Sequence, residues 1–252
     1  MLTDTNYYQD TEYFSYSLYK KFMDCEAAAY AELIGEYRQP VTDAMLVGSY
    51  VDAVVEGTLE QFVSEHTEVI SSKGPTKGQL KSSFKQADVM IERFQRDSVF
   101  MEYLQGEKQV ILTGKIAEVP VKSKLDILHD NRIIDFKTVK DFETIWCSGE
   151  RLNFIEYWKY DVQGAIYREL VRQKTGKKLP YYIAAVTKEP FPDLAIIHLS
   201  DKSLDIKLKE VEYFLPQFQA IKIGLAESER CEKCDYCKQT KVLTGPIEIE
   251  QL

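Results

Sequence analysis

The spacing of apolar positions divides the chain into a helical first part and a second part in which strands and helices alternate. In SYSLYKKFMDCEAAAYAEL, Leu18, Phe22, Cys25 and Ala29 recur at helical spacing, with Ser15 or Ser17 as the cap and Pro40 as the stop. Thr42 caps a second helical stretch through MLVGSYVDAVVEGTLEQFV. After the loop SSKGPTKG a third runs from Gln79 to Arg96. The pattern then changes. KQVILTGKIAEV, VPVKSKLDILHD and RIIDFKTV are rich in β-branched residues and follow one another closely, which predicts three sequential antiparallel strands. From Asn153 to Lys174 the period is helical again, with Gly176 just past its end. YYIAAVTK and DLAIIHLS read as two more strands around the turn EPFPD. A last amphipathic helix covers Ser203 to Ala226, with Pro216 as a point of bending. This order predicts an α/β core with a helical N-terminal extension. No linker forces a split, so one domain over 1–252 is expected, with a helical part at 1–100, the core at 105–226 and a cysteine-containing segment at 227–252.

The stretch KSKLDILHDNRIIDFKTV carries the chemistry. Side chains alternate along a strand, so Asp135 and Lys137 share one face and Phe136 takes the other. His129-Asp130-Asn131-Arg132 suits a tight hairpin turn, and with Asp130 and Asn131 as its loop residues Asp126 stands opposite Asp135. Two opposed carboxylates repel one another until a divalent cation sits between them, and hard oxygen ligands with water suit magnesium or manganese. Lys137, beside the pair, can bind an attacking water and stabilise charge developing on a phosphate. The alternative reading is an exposed hairpin face with an ordinary mixture of charges.

The same residues resemble the PD-(D/E)xK nuclease signature: Asp126, then Asp135-Phe136-Lys137. Gln163-Gly164-Ala165-Ile166-Tyr167 resembles the QxxxY motif of RecB-type nucleases, with Gln163 and Tyr167 on one helix face. GSYVDAVVEG resembles the RecB-type segment that carries a metal-binding histidine, here replaced by Asp52. FSYSLYKKFMDCEAAAYAEL resembles the opening of RecB-like nucleases that join one N-terminal cysteine to three C-terminal ones, here Cys25 with Cys231, Cys234 and Cys237. The whole is similar to phage- and prophage-type exonucleases of the exodeoxyribonuclease VIII kind.

The resemblance implies a restriction-endonuclease-like core, a central mixed sheet flanked by helices. It implies a metal-dependent exonuclease that digests double-stranded DNA from its ends in recombination or repair, leaving single strands for a single-strand annealing protein. Asp126, Asp135 and Asp52 would hold Mg2+ or Mn2+, Lys137 would orient or activate the water, and Gln163 and Tyr167 would support them. The four cysteines would hold a [4Fe-4S] cluster, with zinc as the alternative. An endonuclease or trimming nuclease of a repair or CRISPR-type complex is a second reading, and a non-catalytic DNA-binding scaffold a third.

Composition adjusts this picture. The formal net charge of -8 is unusual for a phosphate binder, although bound metals reverse the local sign. Basic residues cluster at Lys73, Lys77, Lys81 and Lys85 and at Arg168, Arg172, Lys174, Lys177 and Lys178, as DNA contacts or as solvated helix faces. Three of the five cysteines fall in CEKCDYC, a spacing that points to metal or cluster ligation more than to disulfides. MLTDTNYYQDTEYF contains no apolar signal region and no apolar run is long enough to span a membrane, so a cytoplasmic protein without a membrane partner is expected, as a monomer or a homo-oligomer. His129 and His198 read as solvated and structural, Trp146 and Trp158 as packing residues, and Glu118 as the start of the strand that leads to the carboxylates.

Overall fold

A computed structural model describes every residue except Met1, Val41, Ser148, Thr244, Ile247 and 250–252, so the last positions of the C-terminal segment lie outside the described residues. Ser15 caps α1 (Tyr16–Asp24) by accepting the Leu18 N–H. Cys25 is extended, with φ -167°, and its sulfur accepts the Ala28 N–H at the start of α2 (Glu26–Leu33). The apolar period through Leu18 and Ala29 is therefore carried by two helices, because Cys25 leaves helical geometry to serve as a cap. The helical run stops at Leu33, ahead of Pro40. Thr42 caps α3 (Asp43–Glu56), which Gly57 ends in the left-handed conformation; α4 (Leu59–Glu65) follows. α5 (Ser82–Gln95) and the short α6 (Ser98–Tyr103) complete this part.

β1 (Glu107–Ile116), β2 (Val119–His129) and β3 (Arg132–Val139) are sequential and antiparallel. A small separate hairpin of β4 (Ile145–Cys147) and β5 (Glu150–Leu152) precedes α7 (Phe154–Trp158), whose capping box joins Asn153 and Glu156. Lys159, at φ 59°, breaks the expected single helix before α8 (Tyr160–Thr175), which Gly176 ends. β6 (Tyr181–Thr187) and β7 (Leu194–Leu199) follow, then α9 (Asp201–Lys222), which contains Pro216, and α10 (Asp235–Gln239). Among the described residues the main sheet has the order β1-β2-β3-β6-β7, with β3 and β6 parallel and the other neighbours antiparallel. Helix α8 is the crossover that a parallel pair requires.

Helices cover both faces of this mixed sheet. On one side α1, α8 and α9 contribute Phe22, Ile166, Leu204 and Phe218; on the other α3, α5 and α6 contribute Tyr50, Met90, Phe94 and Phe100. β3 serves both layers in alternation: Ile133 and Val139 join the first, Ile134 and Phe136 the second. Asp135 and Lys137 therefore project toward α8. No helix of the described residues is long and apolar enough to cross a membrane.

Candidate active site

The β2–β3 hairpin pairs His129 with Arg132, Leu128 with Ile133 and Ile127 with Ile134. The next step of this register sets Asp126 beside Asp135. Here the backbone ladder gives way, and the Asp126 carboxylate itself accepts the Phe136 N–H at 2.9 Å. Lys137 Nζ lies 2.6 Å from Asp135 Oδ2, and Asp135 is fully buried. Gln163 donates to Asp135 Oδ1 at 2.8 Å and to the Tyr167 hydroxyl at 2.9 Å. Tyr167 passes the chain on by donating to the Lys124 carbonyl at 3.2 Å. Five of the residues singled out in the sequence, Asp126, Asp135, Lys137, Gln163 and Tyr167, thus meet at one place.

The charges in this site oppose one another. Burial raises the Asp135 carboxyl; the Lys137 ammonium works against that and neighbouring Asp126 adds to it. Against its own burial, Lys137 is held firmly protonated by Asp135 and Asp126. Asp52, half-buried on α3, is raised well above the carboxylate range by burial first and by Asp126 next, with Lys137 opposing. Its field reaches the pair, but the three carboxylates are not gathered as ligands around one point. Among the described residues, the four cysteines are the group whose ligand atoms lie within 4.8 Å of one another.

Both amide hydrogens of Gln163 are engaged, while its Oε1 is buried without a donor, and Asp135 Oδ2 meets Lys137 off the axis of a well-formed hydrogen bond. Repelling carboxylates with a stranded amide oxygen are a donor set that a hard divalent cation and its water would satisfy. A cleft of about 800 Å³ opens alongside, lined by Tyr8, Asp52, Glu56, His66, Lys108 and Lys124 among others.

Two residues at the site escaped the sequence reading. Lys137 Nζ stands 5.1 Å from the centre of the Tyr160 ring, and Tyr160 is three positions before Gln163 on the same helix, a spacing that could have revealed it. The Tyr16 hydroxyl donates to the carbonyls of Trp158 and Lys159, both at 3.0 Å, and no local pattern announces so distant a contact. Glu118 is not at the site. It sits at φ 63° in the β1–β2 turn, at the far end of β2, paired with Lys115. Trp146 is 68% exposed and Trp158 44%, so neither is a core residue. The second basic cluster is largely committed within the protein: Arg168 is buried against Asp201 and Asp205, Lys178 pairs with Asp205 and Arg172 with Glu169.

A second cluster joins the N-terminal helices to the C-terminal segment. Cys25 Sγ is 3.6 Å from Cys237 Sγ, Cys231 Sγ is 3.9 Å from Cys237 Sγ, and Cys234 completes the group. Despite desolvation, the backbone N–H groups of Lys233 and Cys234 bring the Cys231 thiol down to about 6.

Residues 15–240 match the family described as "PDDEXK-like domain of unknown function (DUF3799)". Among solved structures, a crystal structure named "Putative exonuclease" from Eubacterium rectale is 41% identical, with a TM-score of 0.93 over 100% of this chain and 97% of that one. No curated protein matches the chain.

Proposed function

Because the chain belongs to the PDDEXK-like family DUF3799, with the α/β restriction-endonuclease-like fold of PD-(D/E)xK nucleases, we propose that it hydrolyses the phosphodiester bonds of double-stranded DNA from the duplex ends. The observation that carries this reading is the Lys137 ammonium, 2.6 Å from a buried carboxylate that Gln163 grips by its other oxygen. The neighbour's name supports the exonuclease form of the activity.

Asp126 and Asp135 would hold Mg2+ or Mn2+, with Asp52 approaching from α3. When bound, such an ion polarises the phosphate and makes its water more acidic. The protein's own residues supply the rest. Lys137 is kept charged by the carboxylates, so it acts as a hydrogen-bond donor to the attacking water and to the phosphate oxygen on which charge grows. Gln163 fixes one oxygen of Asp135 and leaves its own Oε1 free to accept from a water. Tyr167, anchored to the Lys124 carbonyl, fixes the amide. Tyr160 confines the lysine from its ring face. Single strands released by this digestion would suit an annealing protein as partner.

The test is an incubation of linear and covalently closed circular duplexes with magnesium or with chelator. End digestion predicts that linear DNA disappears only with magnesium while circles persist. Rapid opening of circles would transfer the assignment to an endonuclease, and cutting in chelator would remove the divalent ion from it.

A further inference from the structure

We propose that Cys25, Cys231, Cys234 and Cys237 hold a single tetrahedral ion, zinc, and not an iron–sulfur cluster. The span of the four sulfurs decides between the two. All four sulfurs lie within 4.8 Å of one another, with 3.6 Å and 3.9 Å for two of the pairs. One zinc bound by four thiolates at about 2.3 Å sets the sulfurs about 3.8 Å apart, the edge of that tetrahedron. A four-iron cube ties each thiolate to a different corner, so the metal–sulfide core holds the thiolates much farther apart. The observed gathering fits one ion and is too tight for a cube.

The surroundings favour thiolates on one soft ion as well. Backbone N–H groups of Ala28, Lys233, Cys234 and Cys237 point at the sulfurs of Cys25, Cys231, Cys231 and Cys234 at 3.3–3.5 Å, the outer support that ligating sulfurs need. Cys25 also stands at the N-terminus of α2, where negative charge is stabilised. Cys25 and Cys237 are buried, so the ion would be closed off from substrate and structural in kind.

Such an ion staples the C-terminal segment to the junction of α1 and α2. That junction is already joined to it by Ala27 N–H to the Glu229 carbonyl, 3.0 Å, and by Glu229 N–H to the Glu26 carboxylate, 2.8 Å. Helix α1 ends at this staple and carries Tyr16 to the carbonyls next to Tyr160, the ring beside Lys137. The ion is thereby a positioning element for the wall of the cleavage site, yet its identity does not depend on what that site cleaves.

The experiment uses the full chain, expressed with both iron and zinc supplied and purified without oxygen. Metal content, acid-labile sulfide and X-ray absorption are then measured. The expected result is about one zinc per chain with no sulfide and four sulfur neighbours at about 2.3 Å. Replacing zinc by cobalt(II) in the intact protein should give the visible spectrum of a tetrahedral four-thiolate site, and Cys234→Ser should weaken its thiolate charge-transfer bands and shift its visible bands. Should Cys234→Ser fail to fold, the cobalt spectrum of the unsubstituted chain decides alone. Iron with stoichiometric sulfide overturns the proposal in favour of a cluster; no metal and four thiols open to alkylation overturns it in favour of plain reduced cysteines.

Discussion

Asp52 shows how the site stores unfavourable charge. Its carboxyl is raised by burial and by Asp126, so holding it ionised in the folded chain costs stability. For a carboxyl raised on folding, the native state holds more protons than the unfolded chain. Stability in chelator therefore recovers as pH falls from the raised folded-state value toward the ordinary carboxylate range. Asp52→Asn removes the strain, and the metal-free protein should melt higher at pH 7, by about 2–4 °C for each kcal/mol relieved. The gain should shrink toward pH 5, and calorimetry should show weaker magnesium binding. A lower melting point for the variant at pH 7 would contradict this account. Gln163→Ala deletes a hydrogen bond to a charged group, worth about 1.5–3 kcal/mol, and should slow single-turnover cleavage by about 10–100-fold. Tyr167→Phe leaves the amide on Asp135 and should slow it less. At this scale the sequence was informative where the logic is local. The turn at Asp130-Asn131 sets Asp126 beside Asp135, and alternation puts Lys137 with them. Tyr16 was not legible, since its contact joins residues 142 positions apart.

Helix α8 delivers three of the site's side chains, and its approach to the sheet depends on Gly164. A Cβ there would lie 2.7 Å from the Tyr181 ring and 3.1 Å from Leu204, both in the core. Gly164→Ala forces the helix away from β6, with an overpacking cost of about 1–3 kcal/mol. Thermal stability and cleavage rate should fall together, because Tyr160, Gln163 and Tyr167 move with the helix; unchanged values for both would mean that the close approach is dispensable. The main strands and the long helices were legible from their periods. What was missed is short or broken. The three-residue strands β4 and β5 are too brief to show alternation. The interruptions at Cys25 and Lys159 occur where a residue leaves helical geometry inside a continuous apolar period. The parallel pairing of β3 with β6 is a matter of topology, which alternation does not encode.

Across the whole molecule, a net charge of -8 leaves no surplus of cations for DNA, and the structure shows some that are already engaged. Arg168, Arg172 and Lys178 look like a phosphate-binding cluster in sequence, yet they pair with Asp201, Glu169 and Asp205, and Arg168 locks α8 to α9. Arg168→Ala should therefore lower the melting point while leaving the salt dependence of duplex binding unchanged; a shallower salt slope would instead make it a phosphate contact. Under the proposed function, cleavage at this site depends on Lys137 acting as a charged donor beside the carboxylates. The most direct measurement follows cleavage of an end-labelled linear duplex with magnesium by the unsubstituted chain and by Lys137→Met, with duplex binding measured in parallel. The account predicts a rate lower by about 10²–10³-fold with binding retained. Cleavage by Lys137→Met at the rate of the unsubstituted chain would contradict it.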